Sequence, residues 1–309
     1  MNKHESNIVI FSVMLCWAAA YVFVKSLPDE LSDFGYIALV NGIAGIIMIA
    51  VFFPRLRLIN KRNLLHGTIL ALIMMLVLIF EREGIDMLNP SAASVITSLD
   101  IVIVPLFMLF LGKLPSKNQV VAIALILTGI LLTNGFSFSD YYLRGTLFML
   151  GDCICMSLYT VVANRFCQND DPIILVVSQI VIMAVISFVI WTVQEPGMIF
   201  RLDYTKEFLA SLFVLAIFTK AYAYVLLMYG EAYADPVDVV IIFALEPVVT
   251  LLLAVFIPEG FGGVEESFSV MTLIGAVIIG IGAVIGQTDI KKLLERMRRL
   301  KGYARAADS

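Results

Sequence analysis

Residues 90–111, PSAASVITSLDIVIVPLFMLFL, and residues 236–257, PVDVVIIFALEPVVTLLLAVFI, are two versions of one segment. At a shift of 146 positions Pro90 meets Pro236, Leu99 meets Leu245 and Asp100 meets Glu246, while Gly84 meets Gly230 just ahead of them. Each is long enough to cross the hydrocarbon of a bilayer, which takes about 20 helical residues. Working outward, apolar segments of similar length fall near 7–27, 34–53, 65–84, 118–136, 145–167, 172–193, 207–230 and 268–288. A second register, at a shift of 138, pairs Tyr21 with Tyr159, Val24 with Val162, Asp33 with Asp171 and Asn41 with Gln179. The ten segments are therefore two runs of five, with a short insertion around 262–268 before the last. An odd number of crossings turns the second copy over relative to the first, about an axis in the membrane plane. The expected architecture is all-α: a polytopic membrane protein of ten transmembrane helices in two inverted five-helix repeats, residues 1–139 and 140–288, with a basic tail at 289–309.

Composition agrees with a membrane class. The 309 residues are 61% hydrophobic and 15% charged, with a mean hydropathy of +0.96, far from the averages of soluble domains. No connection is long enough to hold a separate soluble domain. With the amino terminus inside, Lys3, Arg55, Arg57, Lys61, Arg62, Lys113, Lys117, Arg165 and the seven basic residues of 291–305 share one side, fifteen of the twenty-one Lys and Arg. The positive-inside rule then places both termini in the cytoplasm, and a bacterial cytoplasmic (inner) membrane is the expected location. Ala18, Ala19 and Ala20 after an apolar run also fit a signal-peptide cleavage site, but the pattern recurs in segment 6, far from any amino terminus. The tail is read as an anchor on anionic lipid.

Charges inside the segments are not scattered. They fall on Lys25, Glu81, Arg82, Glu83, Asp100, Asp152, Lys220 and Glu246, in segments 1, 3, 4, 6, 8 and 9, while segments 2, 5, 7 and 10 carry none. Those groups are closed under the repeat, so the charged segments are expected to surround a polar interior. A buried ionisable side chain costs at least about 2.5–3.5 kcal/mol and is kept facing a partner or a wet cavity. Helical spacing sets Trp17, Tyr21 and Lys25 on one stripe, Asp152, Cys155 and Tyr159 on another, and Lys220 with Tyr224 on a third. The expected substrate-binding set is Trp17, Tyr21, Asp100, Asp152, Tyr159, Lys220, Tyr224 and Glu246, with Asp100 and Glu246 as proton-coupling candidates. Pro105 and Pro247 lack the N–H that would pair with the carbonyls of Ile101 and Phe243, which makes them hinge candidates. Segments 5 and 10 carry Gly129 and Gly135, and Ala276, Gly280, Gly282 and Gly286, at spacings suited to close helix contact, either within the chain or across a homodimer.

Other chemistry is poorly represented. Cys16, Cys153, Cys155 and Cys167 lie in or beside segments and read as packing residues, and His4 and His66 belong to no metal-ligand cluster. Neither a phosphate loop nor a nucleophile and base pair is present, so no cofactor, metal, nucleic-acid partner or enzymatic activity is expected.

Residues 17–25, WAAAYVFVK, together with Leu245-Glu246-Pro247-Val248 and the following Pro258-Glu259-Gly260, resemble motifs of the drug/metabolite transporter superfamily, in particular its ten-helix EamA-type carriers, over residues 7–288. Departures are Asn41 where such proteins often carry Arg, and Gly112-Lys113 where the first repeat often ends in Gly-Glu. The resemblance implies a central cavity lined by helices 1, 3, 4, 6, 8 and 9. The function expected is secondary active transport of a small polar metabolite, an amino acid, amine or related compound, by alternating access, with efflux as its direction and protons as the coupling ion, in a monomer or homodimer. The alternative is a membrane scaffold or lipid-handling accessory subunit whose buried charges only hold helices together.

Overall fold

The computed structural model describes residues 3–88, 90–133, 140–257 and 270–287. Pro258-Glu259-Gly260, the insertion at 262–268, Gly135 and the basic tail lie outside the described residues.

Among the described residues every regular element is helical. The long ones are α1 (Lys3–Lys25), α2 (Asp33–Leu56), α3 (Lys61–Met87), α6 (Lys117–Thr133), α7 (Asp140–Cys167), α8 (Pro172–Gln194) and α13 (Val270–Gln287). Between them lie two broken pairs, α4 (Pro90–Thr97) with α5 (Asp100–Phe110) and α11 (Pro236–Phe243) with α12 (Glu246–Phe256). One further run joins α9 (Lys206–Val214) to α10 (Ala223–Tyr233) through a π-helical stretch, Leu215–Tyr222. Local chemistry sets the starts. Asn60 and Asn63 cap α3 reciprocally, and Asp171 and Asp235 accept N–H bonds ahead of Pro172 and Pro236 at the first turns of α8 and α11.

Among the described residues seven helical stretches are long and apolar enough to cross a membrane. Ile46, Val51, Phe53, Phe110, Val193 and Phe256 are exposed, whereas Asn41, Asp152, Gln179, Lys220 and Glu246 are buried. Apolar outside and polar inside is the pattern of a chain solvated by lipid. This is an all-α polytopic membrane protein.

The packing is reciprocal. Helix α2 packs along α8 and α6 along α13, while α3 lies along α7 and α1 along α10. The half-helices follow suit, α12 against α1 and α5 against α7. Gly129 and Gly282 serve the α6–α13 contact, whereas a Cβ on Gly280 would meet Leu245. A Cβ on Gly129 would fall 2.7 Å from the Gly275 carbonyl oxygen, and one on Gly282 would fall 3.2 Å from that of Ala122. At one end of the bundle Asp170, at the corner between α7 and α8, takes hydrogen bonds from the first turns of α3: Arg62 Nη2 at 2.6 Å, Arg62 Nε at 2.9 Å and Asn63 Nδ2 at 3.0 Å. His66 Nδ1 lies 2.6 Å from its other oxygen, with the imidazole stacked on Phe166.

Two expectations change. Segments 4 and 9 are not continuous helices but break at Ser98 and Leu99, and at Ala244 and Leu245. In the second, Pro247 lies in the first turn of α12 and leaves the Phe243 carbonyl without its partner four residues on. In the first, the break lies ahead of Pro105, which sits within a continuous α5. There Thr97 Oγ1 and Ser98 Oγ both donate to the Ser94 carbonyl, at 2.9 and 3.0 Å, competing with the backbone ladder.

Candidate functional site

A cavity of about 60 Å³ lies between α1, α3, the two broken pairs, α7 and the π-helical stretch. By that measure one water takes roughly 10–15 Å³, so several waters or a small solute fit.

Its wall is built from helix breaks. Asp100 and Glu246 are the first residues of α5 and α12, directly after the two interruptions. Both line the cavity, although Asp100 is only 7% and Glu246 only 6% exposed. Asp100 Oδ1 and Glu246 Oε1 are buried and have no hydrogen-bond partner among the described residues. The π stretch presents Lys220, since widening the helix shifts the side-chain register. Its Nζ lies 3.4 Å from Tyr224 Oη and 5.0 Å from the centre of that ring. Trp17 is fixed on both counts, donating from Nε1 to the Thr219 carbonyl at 3.2 Å and stacking on Phe243 at 5.2 Å. Tyr21 Oη lies 2.9 Å from Thr97 Oγ1, beside the first break.

The structure therefore gathers Trp17, Tyr21, Asp100, Asp152, Lys220, Tyr224 and Glu246 around one space, with Glu81 as a further acid. Tyr159 is not among the lining residues; it is fully buried and its hydroxyl donates to Gln179 Oε1 at 3.0 Å. The stripe from Asp152 continues through Met156, one turn on, rather than through Cys155 and Tyr159. Lys25, expected beside Trp17 and Tyr21, instead closes the end of α3, donating to the carbonyls of Ile85 at 2.8 Å and Asp86 at 3.0 Å. The run Glu81-Arg82-Glu83 separates because neighbours on a helix point about 100° apart. Glu81 faces the cavity, while Arg82 turns to Asp33, with Nε and Oδ1 3.3 Å apart, and lies over Tyr36.

The residues that spacing alone overlooked are mostly apolar: Met74, Val77, Leu78, Met156 and Phe243. Met74, Val77 and Leu78 lie seven, four and three positions before Glu81 on α3, so the helical period from that charge marks them. Asp238, a charge in segment 9 that the sorting passed over, is buried outside the cavity and accepts from Gln119 Nε2 at 3.4 Å.

Residues 5–135 and 143–286 match the EamA-like transporter family. The chain belongs to the EamA-like transporter family. This EamA-like protein is 24% identical over 292 residues to an uncharacterized transporter of Archaeoglobus fulgidus, covering 92% of this chain and 98% of that one. A solved crystal structure of a protein superposes on the EamA-like fold with a TM-score of 0.74 at 21% identity, over 95% of this chain and 100% of that chain. That likeness speaks of the fold alone. Family membership makes the EamA-like chain a membrane transporter, set in a lipid bilayer and acting on a small-molecule substrate.

Proposed function

We propose that the protein is a secondary active transporter that exports a small polar metabolite, an amine, amino acid or related compound, across a bacterial inner membrane by alternating access. The observation that carries this reading is the convergence of two interrupted helices on one enclosed cavity, with an acid at the start of each second half. Interrupted helices at the interface of repeated halves are how many carriers build a midplane site.

The ten-crossing count takes each broken pair, and α9 with α10, as one crossing. Two repeats at 1–139 and 140–288 are supported by the reciprocal packing, because exchanging the copies turns the α3–α7 pair into α10–α1 and the α5–α7 pair into α12–α1. The two separate family matches point the same way. Both termini are cytoplasmic in this reading, and the active unit is a monomer or homodimer.

Trp17, Tyr21, Asp100, Asp152, Lys220, Tyr224 and Glu246 hold the substrate. Asp100 and Glu246 exchange protons with it, and the breaks beside them bend as the halves rock. Four carboxylates face a single ammonium among the lining residues, so the site favours a cationic group over a lone anion. Flux of labelled amines and amino acids in proteoliposomes under an imposed pH gradient tests this. Gradient-driven flux that is abolished in Asp100→Asn or Glu246→Gln is expected. Unchanged gradient dependence in both removes these carriers, and folded protein without flux of any solute favours the scaffold reading.

A further inference from the structure

The cavity's acids divide into two sets. Lys220 interacts electrostatically with Glu81 and Asp152, and its ammonium rests against the Tyr224 hydroxyl and ring. Glu246 stands differently, with the charges acting on it coming from Asp100, Glu81 and Asp152, all of its own sign. Among the described residues, Asp100 and Glu246 each keep one buried carboxylate oxygen without a hydrogen bond. Leaving such an atom unsatisfied costs more than the bond itself contributes, so each is a place where a donor from a ligand is strongly favoured.

The two acids are equivalents. Each opens a half-helix after an interruption, and each is the other's counterpart at the shift of 146 positions. A ligand that satisfies both carries two donors of one kind. Among the described residues no three His, Cys, Asp or Glu side chains come together closely enough to hold a metal ion. Two such acids, each opening its own half-helix, suit two ammonium groups. The wall of the same cavity also carries Met74, Val77, Leu78 and Phe243, which suits a hydrocarbon spacer.

Resting on the transporter reading above, we infer that the substrate is a short α,ω-diamine, one ammonium pairing with Asp100 and the other with Glu246 across an apolar spacer. Lys220 offsets part of the charge of Glu81 and Asp152, which leaves Asp100 and Glu246 as the acids for the diamine. A monoamine leaves one acid unsatisfied, and a zwitterion brings a carboxylate into an already acidic space.

The test is calorimetric binding to the purified full-length protein of three probes with one chain length: 1,4-diaminobutane, 1-aminobutane and 4-aminobutanoate. The diamine is expected to bind at least about tenfold more tightly than the monoamine, a difference of about 1.4 kcal/mol. Asp100→Asn and Glu246→Gln are each expected to reduce that preference to within about twofold. The wild-type comparison decides the matter even if a variant fails to fold. Equal affinity for diamine and monoamine, or a preference that survives both substitutions, overturns the diamine inference. Saturable binding or flux of the zwitterion without diamine preference overturns the diamine alone and leaves the transporter reading standing. Flux of none of the three, nor of any solute in the proteoliposome assay, overturns the transporter reading too.

Discussion

At the scale of single residues the cavity is held by a few directed bonds, and Tyr21 is the clearest. Its hydroxyl meets Thr97 Oγ1 at 2.9 Å, and Thr97 Oγ1 in turn donates to the Ser94 carbonyl at 2.9 Å. The phenol thus braces the turn from which Asp100 starts α5. Tyr21→Phe removes one hydrogen bond and keeps the ring, so a loss of about 0.5–1.5 kcal/mol is expected in detergent unfolding. A weaker affinity for amines should accompany it, because Asp100 is then less firmly placed; unaltered affinity alongside lower stability would make Tyr21 a packing residue only. The neighbouring Trp17 shows why a residue's type says less than its surroundings. An exposed indole face would suit a cation, yet here Phe243 stacks on it and the indole N–H is spent on the Thr219 carbonyl.

Elements divide into those that pack and those that yield. Helices α6 and α13 pack, with Gly129 and Gly282 allowing backbone approach. A valine at Gly129 would push into Ile279 and the Gly275 carbonyl. Gly129→Val is therefore expected to cost about 1–3 kcal/mol in thermal unfolding, with substrate affinity unchanged because the pair stands apart from the cavity. The broken pairs yield. Pro247 denies the Phe243 carbonyl its donor, and Pro247→Ala supplies one, so α11 and α12 should join into a more continuous helix. Stability at least equal to wild type with a turnover reduced severalfold is the expected outcome, read by unfolding and by proteoliposome flux. Undiminished flux would move the hinge elsewhere. Pro247 lies beside the break between α11 and α12, whereas the break at Ser98 and Leu99 has no proline next to it. That one arises from hydroxyls competing for the Ser94 carbonyl, a contest whose winner depends on what else packs against the turn.

Across the whole molecule, Asp170 ties the corner between α7 and α8 to the start of α3. Its side chain is fully buried, and its partners Arg62, Asn63 and His66 all come from the start of α3. Arg55 adds a longer ion pair to Asp171 at 3.6 Å. Asp170→Ala leaves Asn63 and His66 without their shared acceptor, at a cost of about 1.5–3 kcal/mol for bonds to a charged group. In an alternating-access carrier the same change should favour the state open at that end. Faster labelling of a cysteine introduced near the α3 start, together with lower stability, is the expected result; lower stability with unchanged labelling would make the cluster structural rather than a clamp.

What the sequence determined by itself was the class, the helical content and the polar interior. Hydrophobic length decides which stretches lie in lipid, and the cost of burying charge decides which helices turn inward, both properties of single segments. The proposed repeat rests on matches such as Asp100 with Glu246. Rotation about each helix axis was settled by tertiary structure. Lys25 and Tyr159 share helical stripes with cavity residues, yet Lys25 caps α3 and Tyr159 binds Gln179, because those partners come from other helices. The π stretch under Lys220 and the unpartnered oxygens of Asp100 and Glu246 are likewise products of packing. Only when the helices assemble do backbone groups and charges find, or fail to find, the partners that fix their final geometry.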